Sequence, residues 1–179
     1  MFENLRLKVG VSYTRFHFRK MKDQVLRFTE AVNRADQALV IFPESITDSE
    51  SLLGVIKYLS RRFTSGNLVV VGREDLLSGL HMHEKISTVT FSPRDVNTWF
   101  VPSGDLLRKL KRSTFDVAFD LNVNLALPSA FLCRASNAPL RVGFAKTHAD
   151  QFYNFQIQTR DRSNSSFAYK TFLNCLEMF

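Results

Sequence analysis

From residue 37 onward, short, wholly apolar runs alternate with stretches whose apolar residues recur every three or four positions. The first kind marks strands buried on both faces and the second amphipathic helices, so the alternation predicts βαβ units building a parallel sheet. Residues 38–42, Ala-Leu-Val-Ile-Phe, form the first buried strand, and Pro43 ends it. Leu52, Val55, Ile56, Leu59 and Phe63 mark one face of a following helix, which can start near Asp48, where Ser45 and Asp48 offer capping oxygens. Residues 68–71 are the next strand, closed by Gly72, and 76–80 a short helical turn. Strands over 86–91, 117–121 and 141–144 alternate with helices led by Pro102-Ser103-Gly104-Asp105 and spanning 126–135. Tyr153, Phe155 and Ile157 alternate with polar residues as a final edge strand, and 167–178 is a closing helix.

The segment ahead of residue 37 has a different rhythm. Leu5, Leu7, Val9, Val11 and Tyr13 alternate with Arg6, Lys8, Gly10 and Ser12, which predicts a half-buried strand. A basic and aromatic stretch follows, with Arg15, Phe16, Phe18, Arg19, Lys20 and Lys22, leading into Met21, Val25, Phe28 and Val32 at the spacing of a helix over 21–34. The whole predicts a single-domain α/β protein, a three-layer Rossmann-like sandwich with a mainly parallel sheet. Residues 1–36 are an N-terminal extension of strand plus helix, 37–160 the α/β core, and 161–179 end in a helix packed on that core.

Composition adds charge and rings to this picture. Lys and Arg number 24 against 17 Asp and Glu, a formal charge of +7 that draws the chain toward an acidic partner, a nucleic acid or an anionic membrane surface without selecting among them. Seventeen Phe are many for one core of 179 residues; a Phe-rich core is expected to take most of them, leaving some to dock on another protein. No run of 18 apolar residues occurs and the start lacks the apolar stretch of a secretory signal, which excludes a membrane-spanning or exported reading. Cys133 and Cys175 sit in apolar surroundings outside any CxxC cluster, as reduced core residues. The expected location is therefore the cytoplasm, including the cytoplasmic face of a membrane. His81 and His83 have no third ligand nearby, while His17 and His148 stand alone, so no metal is expected.

The turn after the first core strand, Pro43-Glu44-Ser45-Ile46-Thr47-Asp48, contains no glycine, and neither GxGxxG nor a Walker A sequence is present. The close backbone approach to phosphates that those glycines permit is missing, which argues against a dinucleotide dehydrogenase or a P-loop NTPase. No cofactor is expected.

Residues 38–48, then a helix ending Tyr58-Leu-Ser-Arg-Arg before the strand at 68–71, resemble the opening of the heptosyltransferase-type glycosyltransferases of family 9, which share the GT-B fold. A later segment, Phe115-Asp-Val-Ala-Phe-Asp-Leu121 through Ala138-Pro-Leu-Arg-Val-Gly-Phe144, is similar to that family's run of strand, Asp-Leu turn, helix, Ala-Pro connection and Arg-Ile-Gly-Phe strand. The resemblance spans residues 37–158 and corresponds to the acceptor-side half of such an enzyme, without the donor-binding half. It implies that Asp48 is a general base for the acceptor hydroxyl, although Thr47 stands where the family has glycine. The competing reading makes Asp48 the cap of a helix, and that reading needs no donor domain. Asp120 similarly reads as the cap of the turn after its strand.

The expected function is a non-catalytic accessory or structural subunit of a larger assembly. Its alternative is an acceptor-binding half of a glycosyltransferase working with a separate donor-binding subunit, and a weaker one is nucleic-acid binding. Arg15, Phe16, Phe18, Arg19, Lys20 and Lys22, together with Arg108, Lys109, Lys111 and Arg112 on a later helix, are the candidate partner-binding residues. They suit an acidic or amphipathic protein surface, including a membrane-associated complex. No recognisable RNA-binding motif accompanies them, and tight nucleotide-sugar binding is not expected.

Overall fold

The structure, a computed structural model, describes residues 2–64, 66–79 and 86–178. Six strands form one sheet in the order β3-β2-β1-β4-β5-β6, with every neighbouring pair parallel. They are β1 (Ala38–Ile41), β2 (Leu68–Arg73), β3 (Ser87–Phe91), β4 (Val117–Asp120), β5 (Leu140–Phe144) and β6 (Phe155–Ile157). The order reverses direction between β1 and β4, so these neighbours carry their chains to opposite sides and leave a crevice at their carboxyl ends. The expected edge strand is present as β6.

The helices are α1 (Phe2–Phe18), α2 (Phe28–Arg34), α3 (Ser49–Arg62), α4 (Glu74–Leu77), α5 (Gly104–Leu110), α6 (Leu127–Ala135) and α7 (Ser165–Glu177). Alternate residues of β1 feed opposite sides of the sheet. Ala38 and Val40 pack with α2, α3 and α7, while Leu39 and Ile41 pack with α1, α5 and α6. The result is a three-layer α/β sandwich of Rossmann type. Most of the phenylalanine excess is absorbed inside it: Phe42, Phe119, Phe131, Phe144, Phe152 and Phe172 are all fully buried, each contributing about 2–3 kcal/mol by leaving water.

Two expectations for the first 36 residues are corrected. Residues 5–13 are not a strand but the middle of α1. The same apolar set satisfies both periods, and the helix is selected by tertiary fit: Gly10, Val11, Thr14 and Phe18 recur at helical spacing and are buried against α6 and the loop 96–101. Gly10 is needed for that approach, because a Cβ there would lie 2.1 Å from the Trp99 carbonyl oxygen and 2.6 Å from Leu127 Cδ2. The helix expected over 21–34 is reduced to α2. Asp23 is drawn into contact with the buried Arg134 and Arg141, and Met21 gives its carbonyl to Arg134 at 3.1 Å. Those bonds hold residues 21–27 out of a helix, which begins only at Phe28.

Candidate functional site: the carboxyl edge of the sheet

Two clefts open at the carboxyl ends of the strands, and Glu44 in the turn after β1 borders both. The first, about 250 Å³, lies over β2 and β3 between Arg6 of α1, Arg73, Phe91 and Phe100. The second, about 280 Å³, lies at the β1/β4 reversal and is walled by residues 43–47, 122–126 and 162–165 with Tyr169. Both sit where open α/β sheets hold ligands.

The walls of the second cleft are held by a buried polar cluster. Asp120, at the end of β4, accepts from the Asn122 backbone N–H at 2.9 Å and from its side-chain amide at 2.7 Å, which fixes the turn as the sequence suggests. It also accepts from the Tyr153 hydroxyl and faces Lys146 Nζ at 3.6 Å. Lys146 donates to the carbonyls of Asn122 at 2.5 Å and Asn124 at 3.3 Å. Burial pulls the Lys146 ammonium down from its ordinary value, with Asp120 opposing, and burial pushes the Tyr153 phenol well up. The cluster is a brace for the loop, with its charge facing inward.

Glu44 was not singled out by sequence reasoning. Its backbone N–H donates to Asn122 Oδ1 at 2.9 Å and its carboxylate accepts from Ser129 Oγ at 3.0 Å. Burial raises its carboxyl above the usual range; the Ser129 bond opposes this and the charge of Asp120 adds to it. The only signal in the sequence is position, a Pro-Glu pair directly after a fully buried strand. The arginines of the first cleft are both held: Arg6 Nε donates to the Thr98 carbonyl at 2.6 Å with its guanidinium 5.0 Å from the Phe100 ring centre, and Arg73 is bidentate on Asp75 at 3.0 and 2.5 Å.

Asp48 is the N-cap of α3, its carboxylate accepting from the Ser51 N–H at 3.1 Å. Hydrogen bonds from Ser51 hold that carboxyl below the usual carboxylate range. Around it the N-termini of α3 and α7 are joined by hydroxyl pairs, Thr47 with Ser165 at 2.5 Å and Ser51 with Ser166 at 3.1 Å.

The expected partner-binding residues fall on the layer of α1, α5 and α6, away from these clefts. Arg15, Phe16, Arg19, Lys20 and Lys22 are exposed, and the Arg19 guanidinium lies 3.9 Å from the Phe16 ring centre. Phe18 instead is buried, its ring 4.8 Å from that of Phe131, so of the aromatic pair only Phe16 faces outward. Arg108, Lys109, Lys111 and Arg112 are exposed on and just after α5, with Arg108 paired to Asp105. Cys133 is buried and Cys175 half-buried, both as free thiols. His17 packs on Tyr13 and Phe18, and His148 begins a short turn; the His81 and His83 pair lies outside the described residues. Among the described residues no three His, Cys, Asp or Glu side chains are gathered as for a metal ion, and no helix is long and apolar enough to cross a membrane.

The chain belongs to the family of unknown function DUF6913. That family matches residues 13–174, so its characteristic region takes in the end of α1 and the whole sheet. No curated protein matches the DUF6913 chain. Among solved structures it is similar to the E. coli heptosyltransferase WaaC. Against WaaC with ADP the TM-score is 0.55 at 14% identity, covering 77% of this chain and 46% of that one. Against WaaC with ADP-2-deoxy-2-fluoro heptose it is 0.58 at 16% identity, covering 79% and 48%. The DUF6913 chain thus shares a fold with, and spans about half the length of, a heptosyltransferase.

Proposed function

We propose that this DUF6913 chain is a non-catalytic accessory subunit of a larger protein assembly, built on the fold of a glycosyltransferase half. The observation that carries the reading is the commitment of the carboxylates at the sheet's carboxyl edge. Asp48 caps α3, Asp75 holds Arg73, Asp120 is enclosed by Asn122, Lys146 and Tyr153, and Glu44 is bonded to Ser129. A general base needs an oxygen within reach of the substrate proton and an affinity for that proton near working pH. Asp48 is held in the wrong direction for that task by its capping bonds. Stabilising a transition state further requires both reacting groups to be positioned, and the glycine-free turn after β1 offers no phosphate cradle.

Calorimetric titration of the purified chain with nucleotide-sugars tests this reading. No heat of binding is expected, and a micromolar signal from any of them would overturn it.

A second reading has one observation in its favour. Glu44 is half-buried with a raised carboxyl, in a turn bordering both clefts and near Arg73, as fits the acceptor-binding half of a transferase that works with a donor-binding subunit. Under that reading Glu44→Gln abolishes function while the fold is kept; under the accessory reading it does not.

A further inference from the structure

The outward face of α1 is unpartnered and apolar. Phe2, Leu5, Val9, Tyr13 and Phe16 recur at steps of three and four, so at 100° per residue they form one stripe along the helix. It runs opposite Gly10, Val11, Thr14 and Phe18, which seat α1 on the body. All five are between 39% and 83% exposed. The helix is therefore apolar on two faces, and only one is used by the fold. A helix that already has its core contact does not need a second apolar stripe for folding.

Charge selects the occupant. Lys8 and Arg15 project along one flank of the stripe, and Arg19, just past the end of α1, lies with its guanidinium 3.9 Å from the Phe16 ring centre, whereas Arg6 on the other flank is already held by the Thr98 carbonyl and Phe100. Past the end of α1 come the exposed Lys20 and Lys22. In the same helix layer, joined through the cluster of Phe18, Val101, Phe131 and Leu107, α5 adds its own exposed basic group at 108–112. A second copy of the chain would set these cations against themselves, which disfavours self-association through the stripe. A single acidic helix would answer the flanks of α1 but not the separate group on α5. An extended anionic plane answers both at once, without needing a matching shape. Seated along its length on the protein body, α1 presents a stripe about 21 Å long that can lie flat in such a plane.

We propose that the outer face of α1 docks the protein on an anionic lipid bilayer, with the Phe2-to-Phe16 stripe entering the headgroup boundary and the flanking basic residues of α1 and α5 over the lipid phosphates. This goes beyond the accessory role and stands without it, since it concerns a different face from the clefts.

The test is flotation of the full chain with vesicles of phosphatidylcholine, with and without phosphatidylserine. Binding is expected only to the serine-containing vesicles, and added salt should release it. Leu5→Ser, Val9→Ser and Phe16→Ser together should weaken binding roughly a hundredfold while leaving the melting temperature near wild type, because all three side chains are exposed. Lys8→Ser, Arg15→Ser and Arg19→Ser should weaken it by about as much. Should the first variant lose stability, Phe2→Ser with Leu5→Ser at the helix's free end gives the same readout. Equal binding to neutral vesicles, or unchanged binding by a folded stripe variant, overturns the proposal. So does failure to float, and sedimentation as a dimer would then assign the stripe to a second copy. Nucleotide-sugar calorimetry is indifferent to all these outcomes.

Discussion

Gly10→Ala decides whether α1 is seated as the structure has it, because the two possibilities give opposite signs. In a helix free of the body, replacing a mid-helix glycine by alanine stabilises by about 1 kcal/mol. In the seated helix the new methyl meets the Trp99 carbonyl oxygen at 2.1 Å and Leu127 Cδ2 at 2.6 Å. The loop carrying that carbonyl yields little, since Asn97 Oδ1 accepts from both the Trp99 and Val101 N–H groups at 2.9 and 3.0 Å, and Phe100 is already at φ 61°. So α1 must lift, loosening the packing of Val11 and Phe18, and overpacking of this kind costs about 1–3 kcal/mol. Against the propensity gain, a net loss of up to about 2 kcal/mol remains, a fall in melting temperature of up to roughly 8 °C for a chain of this size. Gly54→Ala is the control: it lies within α3 with nothing within 4 Å of the added methyl, and should raise the melting temperature. Thermal unfolding followed by circular dichroism reads both. If Gly10→Ala stabilises as Gly54→Ala does, α1 is not packed against Trp99 and Leu127.

Three further outcomes follow from the same geometry. Asp23→Ala leaves the buried Arg134 and Arg141 without their counter-charge; with Asp23 itself 38% exposed and screened, the loss should be about 2 kcal/mol in urea unfolding at pH 7. The arginines hold the Asp23 carboxyl low despite burial, so the gap between wild type and variant should be full above the usual carboxylate range and close as the pH falls through the folded-state value. Asp48→Asn retains an oxygen for the Ser51 N–H and should melt close to wild type at neutral pH, whereas Asp48→Ala should melt lower; the gap between wild type and Asp48→Ala should likewise shrink in acid, since Asp48 also titrates low in the folded state. Burial raises the Cys133 thiol far above its ordinary value, so a thiol reagent should label only Cys175 in the native protein and both after unfolding.

The inner strands β1, β2, β4 and β5 were legible because they are buried on both faces and announce themselves as nearly unbroken apolar runs, β1 ended by Pro43 and β2 just after Gly72, while the more exposed edge strands β3 and β6 showed as short alternating segments. The cap at Asp48 was legible for a local reason, a carboxylate at the mouth of an amphipathic segment. The first 36 residues were not, since both errors turn on distant partners. Leu5 to Tyr13 fits period 2 as well as 3.6 because α1 is apolar on two sides, and only the approach of Gly10 to Trp99 separates them. The spacing of Met21, Val25, Phe28 and Val32 is helical, yet Asp23 is held by arginines more than a hundred residues away, and Val25 ends fully exposed. Glu44 lay hidden for the same reason: its half-burial and its bond to Ser129 arise from the meeting of β1 with α6, which no local pattern records.

The accessory role is tested most directly by the apparent mass of the native protein in a low-salt extract, after a mild non-ionic detergent has dissolved the membranes. Migration well above the 20.6 kDa of the chain is expected, unchanged by Glu44→Gln combined with Asp48→Asn. Migration at the mass of the single chain, or loss of the large species in that folded double variant, would contradict it.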